Sequence, residues 1–245
     1  MGKDKLRKFR ENETFSCLVQ PATEELLGRD HPLKGHWKSD MFHNDHPIVL
    51  ELGCGKGEYT VALAERFPDK NYIGIDIKGA RLWKGAKYAT LNQLGNVAFI
   101  RTRIEFIESL FGPGEIDEIW ITFADPQERK PRKRLTHPRF LESYRRMLAP
   151  GGVIHLKTDS RLLHHFTLET ARCNQLTVLE HNEDIYGSGR ADDLLSIQTF
   201  YEKNFLAQGI PITYLAFRLD STAPLVEPTW NQEPYEQTYK TLTRS

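Results

Sequence analysis

Cysteine is scarce and neither sign of charge is in excess. Only three cysteines occur in 245 residues, Cys17, Cys54 and Cys173. An odd, widely spaced set supplies neither a disulfide framework nor a zinc motif, and it fits a reducing compartment. Lys plus Arg and Asp plus Glu stand at 33 each, which excludes a histone-like polycation and leaves any polyanion contact to a local patch. Long apolar runs are missing too. No stretch approaches the roughly 18 residues of a membrane helix, and the opening MGKDKLRKFRENE lacks the apolar core of a signal peptide, so a soluble, cytoplasmic protein is expected. Repeats and low-complexity tracts are absent.

What is present is a rhythm of short strands and helices from about residue 47. PIVLEL (47–52) reads as a buried strand and EYTVALAERFP (58–68) as an amphipathic helix stopped by Pro68. NYIGIDI (71–77), NVAFIR (96–101), IDEIWITF (116–123) and VIHLKT (153–158) continue the strands, with TVLEH (177–181) and ITYLAFRL (212–219) late in the chain. Helical patterns lie between them at 80–95, where Gly95 is a stop signal, at 137–152, from Asp159 and Ser160 to about Cys173, and at 197–209. Alternation of this kind predicts an α/β fold, a mostly parallel sheet with helices on both faces. Residues 1–46, basic at their tip, read as an N-terminal arm, 47–220 as the domain, and the proline-containing 221–245 as a C-terminal tail, either laid on the surface or without structure.

The first chemical signal is ELGCGKG (51–57) at a strand-to-helix turn. Glycines there let a ligand approach the main chain, and Asp76 at the end of the next strand suits the two hydroxyls of a ribose. A dinucleotide fingerprint would place a further glycine where Glu58 stands. Glu51 and Glu58 flank the loop with negative charge, poor for a pyrophosphate and good for a cation. S-adenosylmethionine, with its sulfonium and ammonium, is therefore favoured over a nicotinamide cofactor.

The second signal is FADPQERKPRKRL (123–135), where an isolated acid, Asp125, precedes a basic cluster at the tip of a strand. A solvated charged loop is the plain alternative, but the carboxyl edge of such a sheet is where α/β folds bind ligands. Four histidines between His31 and His46 match no metal-ligand spacing, and no metal site is expected. Cys54 reads as a small apolar filler. Trp83, Trp120 and Phe99 fall at core-like positions, whereas Trp37 and Trp230 lie in the extensions and are expected to pack against the domain.

ELGCGKG, YIGID, ITFADPQERKPRKRL, LAPGGVIHLKTD and TFYEKNF, in this order, resemble the bacterial tRNA (guanine-N7)-methyltransferases, the TrmB family of class I S-adenosylmethionine-dependent enzymes. The resemblance implies a Rossmann-like class I methyltransferase fold with a seven-stranded sheet. It implies S-adenosylmethionine as cofactor, tRNA as partner, guanine 46 of the variable loop as target, and no obligatory protein partner. Carried over by position, Glu51, Gly53, Gly55, Asp76 and Asp125 hold the cofactor, and Arg103 stands where the family has an acid or amide at the adenine. Asp125 is the expected catalytic residue, a carboxylate that accepts from the guanine's N1 and N2 edge and offsets the charge that methylation leaves, without taking a proton. It lies in a family F-P-D-P-W motif that here reads Phe123, Ala124, Asp125, Pro126, Gln127, without the tryptophan. Arg129, Lys130, Asp159, Thr199, Tyr201 and Glu202 fall at substrate positions, and Arg132, Lys133 and Arg134 extend the cationic run. By position alone, Asp159 also suits a helix N-cap, and Thr199 with Glu202 a capping pair. A class I methyltransferase with another acceptor, or a noncatalytic RNA-binding relative, are the competing readings.

Overall fold

A computed structural model describes residues 3–236. In chain order the main elements are α1 (Lys3–Asn12), β1 (Leu18–Val19), α2 (Thr23–Leu26), β2 (Ile48–Leu52), α3 (Glu58–Arg66), β3 (Asn71–Asp76), α4 (Gly79–Leu91) and β4 (Val97–Arg101). They continue with β5 (Ile116–Thr122), α5 (Pro138–Met147), β6 (Leu148–Thr158), α6 (Arg161–Cys173), β7 (Val178–Asn182), α7 (Phe200–Ala207) and β8 (Thr213–Arg218). The strands form one sheet in the order β1-β4-β3-β2-β5-β6-β8-β7. All neighbours from β1 to β6 run parallel, and β8 is antiparallel to both β6 and β7. Two apolar layers cover the sheet, one built on Leu50, Ile73, Ile119 and Leu156, the other on Val49, Tyr72, Phe99 and Trp120. Period-2 side chains buried on both faces are what a strand under two helical layers requires.

Eight strands replace the expected seven. The extra one, β1, comes from the segment expected to be an arm, and pairs Leu18 with Phe99 at the edge of the sheet. Other described residues of that segment are packed onto the domain as well. Asn12 Nδ2 donates to Gly79 O at 2.9 Å, Trp37 is fully buried with its Nε1 donating to Leu110 O at 2.8 Å, and Leu26 is buried in the core. Burial of Leu26 and Trp37 supplies roughly 2–3 kcal/mol each, enough to keep a polar-looking segment on the domain. Trp83, expected in the core, instead lies half-buried under α1, donating to Glu11 at 2.8 Å beneath the cations of Arg7 and Lys8.

Several helices are shorter than expected, α7 by two residues at its end and by three at its start, where Thr199 caps it from an extended backbone, and α4 and α5 for local reasons. α4 stops at Leu91 because Gln93, at φ 54, makes the left-handed turn expected of Gly95. α5 stops at Met147 because Leu148 already has extended backbone, and β6 begins there, five residues before the expected Val153. At the C-terminal end, residues 221–236 run over α5 and α6: Leu225 N donates to Glu142 at 2.7 Å, Val226 N to Asn174 at 2.8 Å, and Trp230 packs on Phe166. The last part of the expected tail, 237–245, lies outside the described residues.

Candidate active site

The register brings the sequence-predicted residues to one edge. Leu52 pairs with Ile75 and with Ile121, Asp76 with Arg101, and Thr122 with Lys157. The carboxyl ends of β2, β3, β4, β5 and β6 therefore deliver Gly53, Asp76, Arg103, Asp125 and Asp159 along a single rim. The chain runs outward from β2 through β3 to β4 and then returns to the other side of β2 as β5. Such a reversal opens a crevice at the strand tips.

The glycine loop is built for close approach. Gly53 N and Cys54 N both donate to Ile75 O, at 2.8 and 3.1 Å, which bends the chain sharply after β2. Gly55 has φ 59, and a Cβ there would meet nothing within 4 Å, so the loop leaves open ground beside it. Gly57 serves packing instead, since a Cβ would lie 2.5 Å from the Phe99 ring. Cys54 is buried, as a filler should be. Asp76 braces the loop from the side, accepting from Gly55 N at 3.0 Å and from Lys78 N at 2.7 Å. Each of its oxygens retains a second lone pair for a ribose hydroxyl.

Glu51 lies beneath the loop, only 3% exposed. One oxygen accepts from the backbone N–H of Thr60 at 2.9 Å and from its hydroxyl, and the other from the Thr122 hydroxyl. Burial pushes its carboxyl up to about 7, against the pull of these three donors. Neither threonine stood out in the sequence, because each is an ordinary helix or strand residue until β2, α3 and β5 come together.

Segment 123–136 folds back over this loop, with Leu135 Cδ1 3.9 Å from the place where a Cβ on Gly53 would lie. Asp125 is exposed, its Oδ1 accepting from Gln127 N at 3.0 Å, while Phe123 and Gln127 take left-handed φ values of 49 and 48. Arg129, Lys130, Arg132 and Lys133 are exposed beside it. Arg134 is not. Its side chain is fully buried, Nε donating to Pro126 O at 3.0 Å and the guanidinium 4.4 Å from the Phe166 ring centre, so the last cation of the run ties the loop down. Arg103, exposed, follows β4 and pairs with Glu105 at 3.7 Å.

The third part of the rim is α7. Thr199 is its N-cap, accepting from Glu202 N at 3.2 Å, and Tyr201 is exposed. Glu202 is fully buried, 2.7 Å from Lys157 Nζ and accepting from Tyr186 OH at 2.7 Å. Those contacts are to Oε1, and Oε2 accepts from Lys157 Nζ at 2.9 Å, so both oxygens are engaged within the protein. Asp159 is buried where β6 ends, and the N-cap of α6 is Ser160, whose Oγ accepts from Leu163 N at 3.1 Å. Among the described residues no cluster of His, Cys, Asp and Glu could hold a metal, and no helix is long and apolar enough to cross a membrane.

A family model described as "Putative methyltransferase" matches residues 45–215. The chain is 52% identical over 221 residues to a tRNA (guanine-N(7)-)-methyltransferase of Christiangramia forsetii, covering 89% of this chain and 99% of that protein. A protein of the same name from Porphyromonas gingivalis is 51% identical, with 95% and 96% covered. The chain belongs to the tRNA (guanine-N7)-methyltransferase family. Solved structures agree on the fold. A 16S rRNA (adenine-N1)-methyltransferase from Catenulisporales acidiphilia, solved with its cosubstrate SAM, superposes with a TM-score of 0.56 at 15% identity, covering 80% of this chain and 96% of that one. The 16S rRNA methyltransferase KamB gives 0.54 at 12% identity, with 84% and 92% covered. The fold is that of class I methyltransferases, and S-adenosylmethionine fits it: the open ground beside Gly55 and the ribose-ready Asp76 suit that cofactor.

Proposed function

We propose that this protein transfers the methyl group of S-adenosylmethionine to N7 of a guanine in tRNA, with guanine 46 of the variable loop as its target. The observation that carries the reading is the juxtaposition, on one sheet edge, of the glycine loop and an exposed acid followed by exposed cations, in a chain that matches the family along nearly its whole length.

Bound S-adenosylmethionine supplies an activated methyl group on its sulfonium. Guanine N7 already offers an unprotonated lone pair, so the protein's task is placement rather than proton removal. Gly53 and Gly55 admit the cofactor to the backbone, Asp76 takes the ribose, and Arg103 borders the adenine. Glu51 acts from below by bracing α3 against β5, near the methionine end. Asp125 is the catalytic residue, accepting from the donors on the guanine's N1 and N2 edge and offsetting the charge that methylation leaves on the ring. Asp159 is a second acceptor at the same rim, and Thr199 and Tyr201 border the substrate from α7. Glu202 serves by holding α7, since its oxygens face Lys157 and Tyr186. Arg129, Lys130, Arg132 and Lys133 hold phosphates while the acid reads the base.

The test is transfer of labelled methyl from S-adenosylmethionine to unmodified bulk tRNA by the chain alone, without an added protein partner, followed by nucleoside analysis and mapping. Label in 7-methylguanosine at the variable loop is expected. Label in another nucleoside, or none while the cofactor still binds, overturns the reading.

A further inference from the structure

Phe200 occupies the first turn of α7 with 52% of its surface exposed, and Tyr201 beside it is 45% exposed. Single exposed aromatics are ordinary on most surfaces. These two stand on the cofactor rim, with their rings 5.9 Å apart and nearly perpendicular at 74°. Lys56, from within the glycine loop, places its Nζ 4.9 Å from the centre of the Phe200 ring.

The backbone that carries the ring is held at several points. Phe200 N donates to Glu58 Oε2 at 2.9 Å, and the other oxygen of Glu58 pairs with Lys84 at 2.7 Å. At the far end of α7, Phe205 stacks on Phe123 with ring centres 6.1 Å apart, and Glu202 is bound to Lys157 in the interior. α7 therefore bridges the glycine loop and the tip of β5, and carries an exposed ring on a rigid support. Exposed aromatic faces with a cation alongside are how proteins take up unpaired bases: the ring stacks on the base and the cation reaches its phosphate.

We propose that Phe200 and Lys56 form a stacking shelf for an unpaired nucleobase of the RNA strand, the nucleotide flanking the methylated guanine. The inference rests on the tRNA reading given above. Phe200 takes the base in a sequence-tolerant way, and Lys56 takes the adjoining phosphate. Charge complementarity argues for a polyanion, since the exposed Arg129 and Lys130 follow the tip of β5, to which α7 is joined through Phe205 and Phe123.

The experiment measures affinity for unmodified tRNA at several salt concentrations, together with S-adenosylmethionine affinity, in wild type and in the F200A, F200L, F200W and K56A variants. F200A should weaken tRNA binding by about 5- to 150-fold, the range for loss of one base stack, with cofactor affinity and the salt slope unchanged. F200L should be nearly as weak as F200A, because it keeps the apolar bulk without the π face, and F200W should bind as well as wild type. K56A should lower the slope of log affinity against log salt by about 1. Wild-type affinity in F200A or in F200L overturns the shelf while leaving the tRNA reading intact. A wild-type protein that neither binds nor methylates tRNA removes that reading and the shelf with it. Should F200A fail to fold, the contrast between F200L and F200W decides.

Discussion

Lys157 Nζ lies 2.7 Å from the Glu202 carboxylate with both side chains at 0% exposure. The ammonium also donates to Leu195 O at 2.7 Å and Ile197 O at 2.9 Å, and it faces the Tyr59 ring at 5.3 Å. One cation of β6 thus fixes the loop before α7, α7 itself and α3. Burial pushes the Lys157 ammonium down and the Glu202 carboxyl up, while their mutual attraction works against both shifts. Each member thus favours the charged form of the other against the burial that opposes it.

Removing one partner should therefore cost more than removing both. Lys157→Met leaves a carboxylate without its cation in the interior and should destabilise the protein by about 3–5 kcal/mol. Lys157→Met combined with Glu202→Leu should recover most of that loss. Denaturant unfolding of both singles and the double measures the coupling; additive costs would show that the pair is not a unit.

Glu51 makes stability pH-dependent in an unusual direction. Its carboxyl is pushed by burial from 4.5 up to about 7, so between those values the unfolded chain has lost a proton that the folded chain keeps. Stability then falls as pH rises from about 4.5 to 7, and is fully present below that window. Glu51→Gln should remove this contribution, and its stability relative to wild type should climb through the window by at most about 3 kcal/mol. Cofactor-free thermal melts at several pH values measure it, and a flat difference would contradict the assignment.

Asp125 is exposed at the rim, whereas Asp76 braces the glycine loop and Glu51 ties α3 to β5. Asp125→Ala should lower turnover by roughly 100-fold or more, as expected for loss of a charge-stabilising acceptor, with less than about a threefold change in cofactor affinity. Calorimetric titration beside single-turnover methylation separates the two. An equal loss of cofactor binding would move Asp125 out of the catalytic role.

Arg134 and its neighbours should part company in a salt titration. Reversing Lys130, Arg132 and Lys133 to Glu should weaken tRNA binding and flatten its salt dependence by about 0.7–0.9 for each phosphate no longer neutralised. Arg134→Met should instead release the loop that Arg134 holds through Pro126 and Phe166, lowering activity with the slope retained. Equal slopes in both variants would return Arg134 to the phosphate-binding set.

The strands at 71–76 and 97–101 and the helix at 58–66 were written in local periodicity, and the cap of α6 was narrowed to Asp159 or Ser160, of which Ser160 serves, because alternation and capping depend on residues a few positions apart. The glycine loop and Asp125 were legible for a related reason: motif order places them at strand tips, and parallel register then brings the tips together. What only the tertiary structure decided involves partners far apart in the chain. β1 exists because Leu18 finds Phe99, Trp37 is buried because Leu110 accepts its N–H, and Arg134 turns inward onto Phe166 rather than joining the cations before it. Lys157 looked like any strand residue until Glu202 met it in the interior. A charge buried with its partner is neutral to its surroundings, and a sequence spells out the two charges without saying whether they meet.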